Sequence, residues 1–175
     1  MGRSPRHPAS GEAEAVSMQR WREALALACR LGVGGVFLWA GAAKSLDRQD
    51  TILAVDAYRL LPRGLVTPVA TALPWIEIAV GVFLLSGLFL RFAGVGSALL
   101  TLGFVVALAQ AKARGLSIDC GCFGGGGPGD GVGWFDILRD LPVLFAGLFV
   151  AWRPGRWLQL DRLLAPKPAE VLTEA

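Results

Sequence analysis

The sequence predicts an all-α, polytopic membrane protein that folds as a bundle of four transmembrane helices. Hydrophobic residues make up 54% of the 175-residue chain, and its mean hydropathy of +0.52 is higher than that of ordinary soluble domains. Several apolar stretches reach about 20 residues, the length that a helix needs to cross a hydrocarbon layer of about 30 Å. The six tryptophans lie near the predicted ends of these stretches, where an aromatic belt is expected.

The chain divides into two tails and one membrane domain. Residues 1–20 contain proline, glycine and mixed charges without an apolar period, which predicts a disordered N-terminal tail. The membrane domain covers residues 21–153, and residues 154–175 form an amphipathic or disordered C-terminal tail. The predicted spans are at about 24–43, 70–90, 92–111 and 134–152.

The first span contains Arg30 and four glycines. If the helix starts near Trp21, Arg30 lies fairly deep, so its side chain must either reach the membrane surface or face a partner helix. Glycine is a poor helix former in water, but in lipid it lets helices approach each other closely. The glycines concerned are Gly32, Gly34, Gly35 and Gly41.

The connections between spans differ in length. The polar residues 44–63 predict a surface loop that includes a short amphipathic helix. Arg91 is all that separates the second span from the third, so these two spans are predicted to form an antiparallel hairpin. The fourth span has the weakest signal, because the apolar residues 141–152 would cover only about 18 Å as a helix. It therefore needs residues 134–140, whose charged side chains we place at the membrane surface.

The distribution of lysine and arginine predicts the orientation in the cytoplasmic (inner) membrane. With the N-terminus inside, ten of the 17 basic residues lie on the inner side, in keeping with the positive-inside rule. Both termini are then cytoplasmic, and the loop between the third and fourth spans faces outward. The basic residues flank apolar blocks instead of forming a stripe, so the expected partner is the lipid bilayer and not nucleic acid.

That outward loop contains Cys120 and Cys122, two of the only three cysteines. A disulfide in a C-x-C sequence closes a small ring, and a strained, exposed disulfide is more oxidising and tends to be labile or catalytic. Gly121 gives the backbone the freedom that such a turn needs. The pair is predicted to exchange electrons with another dithiol or a quinone, and the alternatives are a structural disulfide or two idle cysteines.

Other kinds of site have less support. The single histidine, His7, lies in the N-terminal tail, which argues against histidine-based catalysis. Two outward thiolates fall short of the four ligands of structural zinc, so no metal site is predicted, although a two-thiolate Cu(I) site is an alternative. Cys29 lies near the inner end of the first span and is predicted to be a small buried apolar side chain.

Glu77 is the charged residue most clearly committed to the membrane. An ionisable residue inside a span is costly and is by default a functional-site hypothesis. Lys44 ends the first span at the same depth, so we predict a contact between Lys44 and Glu77 beneath the cysteine loop. A structural ion pair and a proton-handling role are both open for this contact.

Several stretches of the membrane domain resemble the DoxX-type membrane proteins. They are Arg30, Gly41 to Asp47, Tyr58 to Pro62, Leu73 to Glu77, Gly81, and Gly87 to Arg91. The sequence Asp119-Cys120-Gly121-Cys122-Phe123-Gly124, with Trp134 and Arg139-Asp140 downstream, is more specifically similar to the MauE (methylamine utilisation) branch of that family. The resemblance covers about residues 21–153.

The resemblance implies a four-helix membrane protein that helps to mature the disulfide-rich small subunit of methylamine dehydrogenase, together with a thioredoxin-like extracytoplasmic partner. Cys120 and Cys122 would be the catalytic residues. The supporting residues would be Asp119, Gly121, Phe123, Lys44, Glu77, Arg139 and Asp140. Vitamin K epoxide reductase-type enzymes have a similar four-helix plan but a second, relaying cysteine pair that this chain lacks. Here the second dithiol must belong to a partner, or the pair must meet a quinone directly.

Three functions are therefore to be distinguished. The chain is a component of thiol–disulfide exchange for extracytoplasmic protein maturation, a membrane assembly subunit without redox chemistry, or a quinone-linked oxidoreductase subunit of DoxX type. Only the first and third make it an enzyme or part of one. The sequence makes no cofactor certain, and a quinone is the one that the third function would use.

Overall fold

The computed structural model describes residues 10–116 and 134–154, which form five helices and no strand. The helices are α1 (Ser10–Leu46), α2 (Arg48–Ala57), α3 (Arg63–Ser86), α4 (Leu90–Ala113) and α5 (Trp134–Trp152). The all-α prediction is confirmed. By length and composition α1, α3 and α4 are able to cross a membrane, as expected of a multi-pass membrane protein. Helix α5 carries three charged residues in its first two turns and is not among them, so the number of four spans stays a prediction.

Helix α1 begins earlier than the first predicted span. It is 37 residues long and starts at Ser10, so residues 10–20, assigned above to a disordered tail, are helical. Six of these eleven residues are alanine, glutamate, glutamine or arginine. These residue types have a high intrinsic helix propensity, so the stretch is helical although it lacks an apolar period. Residues 1–9 lie outside the described part of the chain.

The short helix predicted within residues 44–63 is present as α2. Asp47 caps its N-terminus by accepting a hydrogen bond from the Asp50 backbone N–H at 3.1 Å. The buried Thr51 hydroxyl lies 3.0 Å from the Lys44 carbonyl oxygen and 2.9 Å from that of Asp47. These contacts hold α2 against the C-terminal end of α1.

The turn between α3 and α4 comes before Arg91, so the predicted bounds of the second and third spans are wrong at this end. Helix α3 ends at Ser86, because Gly87 adopts a left-handed conformation with φ of 76°. The backbone N–H groups of Gly87 and Leu88 both donate to the Phe83 carbonyl, at 3.1 and 3.2 Å. Helix α4 then starts at Leu90 and runs back along α3, as the predicted hairpin requires.

Helix α1 packs closely along α3 through glycine. A Cβ added at Gly41 would lie 2.7 Å from the Pro74 carbonyl oxygen, and one at Gly34 would lie 2.9 Å from a side-chain carbon of Leu85. The predicted role of glycine in close helix contact therefore holds for these two positions. It does not hold for Gly32 and Gly35, because a Cβ added at either position would have no atom of another helix within 4 Å.

Helix α4 packs along α5 in the same way, because a Cβ at Gly94 would lie 2.6 Å from the Ala151 backbone nitrogen. Between the two helix pairs is an apolar core formed by Val33, Phe37, Leu84, Leu90, Ala93 and Val150. Cys29 packs against this core as an apolar side chain, but it is only partly buried, so the prediction of a buried residue holds in part. Arg30 is only 3% exposed, and its Nη2 donates to the Leu85 carbonyl oxygen at 3.4 Å, so it faces a partner helix.

Candidate functional site

The predicted contact between Lys44 and Glu77 is present and buried. Lys44 lies in the last turn of α1, and Glu77 lies on the face of α3 that packs against α1. Lys44 Nζ donates to both carboxylate oxygens of Glu77, at 2.9 and 3.0 Å, and the two residues are 5% and 1% exposed. Two charges that leave water together are tolerated when their geometry is this close, because each neutralises the other.

Lys44 has a second, aromatic contact. Its Nζ lies 5.3 Å from the centroid of the Phe104 ring of α4, a distance that suits a cation–π interaction. One lysine thereby links the C-terminal end of α1 to both α3 and α4.

A second charged pair stands at the start of α5, where Arg139 Nε lies 3.5 Å from Asp140 Oδ1. Both pairs line one cavity of about 130 Å³ that lies between α1, α3, α4 and α5. The structure thus brings together four of the five charged residues that were predicted to support the site; the fifth, Asp119, lies outside the described residues. The other lining residues are Val36, Phe37, Ala40, Thr101, Phe104 and Val143. The cavity therefore offers two cations and two carboxylates among otherwise apolar walls.

The cysteine motif lies outside the described residues. The predictions for Asp119, Cys120, Gly121, Cys122 and Phe123 are therefore untested. The described chain stops at Leu116 and resumes at Trp134, and Lys112 Nζ lies 5.1 Å from the centroid of the Trp134 ring. Leu116 and Ile137 also pack against the same small core on α4. The segment that carries the cysteines thus begins and ends at neighbouring points, within two turns of Arg139 and Asp140.

The six other lining residues were not anticipated from the sequence, and two of them, Thr101 and Phe104, make a polar or cation–π contact. Thr101 is 4% exposed, and its hydroxyl donates to the Ser97 carbonyl oxygen at 2.8 Å, while Phe104 faces Lys44. A polar side chain within an otherwise apolar span usually faces the bundle interior, so the position of Thr101 could have been predicted from the sequence. Phe104 is one apolar residue among many in α4, so nothing in the sequence distinguished it.

Comparison with known proteins connects this arrangement to one family. The family model described as methylamine utilisation protein MauE matches residues 22–153, a range that includes the cavity-lining residues, Cys120 and Cys122. A methylamine utilization protein MauE of Methylophilus methylotrophus is 38% identical over 119 residues, which are 67% of this chain and 63% of that relative. The match thus spans less than two thirds of the relative's length. No solved structure matches the chain.

Proposed function

The chain belongs to the MauE family, and on that premise we propose that it supports thiol–disulfide exchange in the maturation of extracytoplasmic proteins for methylamine utilisation. Cys120 and Cys122 are the exchanging pair, and a thioredoxin-like extracytoplasmic protein is the partner. One observation carries the proposal. Four charged residues line one cavity between α1, α3, α4 and α5, and on α5 this cavity starts at Arg139, five residues after Trp134, where the described chain resumes beyond the cysteine segment.

The exchange itself needs no resident cofactor. A thiolate of one pair attacks the disulfide of the other, and a mixed disulfide forms while one sulfur leaves as a thiolate. The second thiolate of the attacking pair then displaces the partner sulfur. One disulfide has become two thiols and two thiols have become one disulfide, so two electrons and two protons have moved from one cysteine pair to the other. The charged residues of the cavity support this step either by fixing the helix ends or by handling those protons.

The proposal is tested by trapping the mixed disulfide. Replacing the resolving cysteine leaves the first sulfur bonded to its partner, so a Cys122→Ser or Cys120→Ser variant is expected to yield an adduct that a reductant releases. Adducts are separated on non-reducing gels from membranes quenched with an alkylating agent. A Cys29→Ser variant is the matched control, since Cys29 lies in α1 and packs against the apolar core, away from the cysteine segment, and should not affect trapping.

Two outcomes would refute the exchange function. One is the absence of an adduct from both single variants under conditions in which the protein is present and folded. The other is normal maturation of the target protein in the Cys120→Ser/Cys122→Ser variant, which would favour an assembly subunit without redox chemistry.

A quinone-linked oxidoreductase is the second candidate. The observation in its favour is the cavity, because apolar walls with a few charged groups suit the flat ring of a quinone, whose two carbonyl oxygens accept hydrogen bonds. In that case the thiol pair passes two electrons and two protons to the quinone and becomes a disulfide. Reduction of a soluble quinone analogue by the purified chain and a dithiol, without a protein partner, would favour this candidate.

A further inference from the structure

A second cavity lies at the other end of the bundle and takes no part in the proposed chemistry. It has a volume of about 650 Å³ and lies between the N-terminal part of α1, the start of α4 and the end of α5. Arg22 of α1 is separated from Lys44 by 22 residues of continuous helix, or about 33 Å. We call this cavity the basic groove.

Three arginines from three different segments line the basic groove: Arg22 of α1, Arg91 of α4 and Arg153 just after α5. All three are exposed, and in the described part of the chain none of them forms an ion pair with a carboxylate. Glu23 is the one acidic residue of the lining. The groove therefore carries an excess of two positive charges, and its guanidinium groups are available to a ligand.

The rest of the lining is largely apolar. Met18 and Trp152 are 63% and 88% exposed, and Phe149 is half-buried beside them. An exposed tryptophan at the end of an apolar helix is typical of the level where headgroups meet acyl chains. The groove therefore pairs an anion-binding surface with an apolar surface that suits hydrocarbon.

We propose that the basic groove binds one anionic phospholipid. Its phosphate is held by Arg22, Arg91 and Arg153, because one guanidinium group can donate two parallel hydrogen bonds to two phosphate oxygens. Its acyl chains lie along Met18, Phe149 and Trp152. Basic pockets between transmembrane helices are known to take lipid headgroups, and the apolar lining favours a lipid over free phosphate. The lipid would join the N-terminal part of α1 to the start of α4 and the end of α5.

The test is competition between two lipids for the full-length protein in detergent. Phosphatidylglycerol and phosphatidylcholine are added at equal concentration, and native mass spectrometry counts the lipids that stay bound. The wild type is expected to retain one phosphatidylglycerol in preference. Each arginine-to-glutamine change should weaken its binding about fivefold, the equivalent of about 1 kcal/mol, and the triple variant roughly a hundredfold.

Arg63→Gln is the matched control, because Arg63 is also exposed at a helix end, but at the opposite end of the bundle. It should bind phosphatidylglycerol as the wild type does, and circular dichroism of each variant checks that the helices are intact. If the triple variant does not fold, the three single variants carry the test.

Three results would overturn the proposal. They are equal retention of the two lipids by the wild type, an equal loss of binding in Arg63→Gln, and displacement of the lipid by inorganic phosphate at the lipid's own concentration. The last would identify free phosphate as the ligand. None of these results bears on trapping through Cys120 and Cys122, so the two proposals fail separately.

Discussion

At the scale of single residues, the buried pair of Lys44 and Glu77 has the clearest energetic consequence. Removing one partner of a buried ion pair leaves the other charge without compensation, which costs about 3–5 kcal/mol. Replacing both partners with apolar residues of similar size is often neutral, because neither charge then has to leave water. Because the double replacement is expected to fold, its exchange activity can distinguish a structural role of the pair from a proton-handling role.

We predict that Glu77→Leu destabilises the protein by about 3–5 kcal/mol, and that Lys44→Met/Glu77→Leu recovers most of that loss. Thermal unfolding in detergent gives the stability, and mixed-disulfide trapping gives the exchange activity of each variant. A double variant that folds and exchanges thiols identifies a structural pair, whereas one that folds but does not exchange identifies a role in proton handling. A Glu77→Leu protein as stable as the wild type would contradict the predicted cost.

At the scale of elements, the contact between α1 and α3 depends on glycine. A methyl group at Gly41 would lie 2.7 Å from the Pro74 carbonyl oxygen, and a backbone atom cannot move aside without shifting α3. We predict that Gly41→Ala destabilises the protein by about 1–3 kcal/mol, as overpacking does. Gly35→Ala is the matched control on the same helix, since nothing lies within 4 Å of that position. It should be neutral or slightly stabilising by thermal unfolding, and equal losses in the two variants would contradict the packing argument.

The same elements show what could be read from the sequence. The Lys44–Glu77 contact was predictable, because two charges at one depth in apolar surroundings must find each other. The turn between α3 and α4 was predicted at Arg91, because this is the one charged residue between two apolar stretches. It lies earlier, because the left-handed conformation of Gly87 ends α3. The position of Arg139 and Asp140 on the cavity was not predictable, since it depends on how α5 packs against helices far away in the chain.

At the scale of the whole molecule, the two ends of the bundle differ in chemistry. One end has the flanks of the cysteine segment, the other has the basic groove, and the cavity with the paired charges lies between them. Arg48 of α2 lies at the first end, and Arg91 lies by the groove. If the termini are cytoplasmic, as the basic residues predict, these two positions are on opposite sides of the membrane.

We predict that a membrane-impermeant maleimide labels Cys120 and Cys122 in intact cells after mild reduction. It should not label Cys29, which lies within the apolar span α1 and packs against the core. Two marker variants in a Cys120→Ser/Cys122→Ser background fix the orientation independently of the loop. Arg48→Cys should be labelled from outside and Arg91→Cys only after the cells are opened. Labelling of Arg91→Cys but not Arg48→Cys in intact cells would place the thiol pair in the cytoplasm. Glutathione and thioredoxin keep thiols reduced there, so exchange with an extracytoplasmic partner would be excluded.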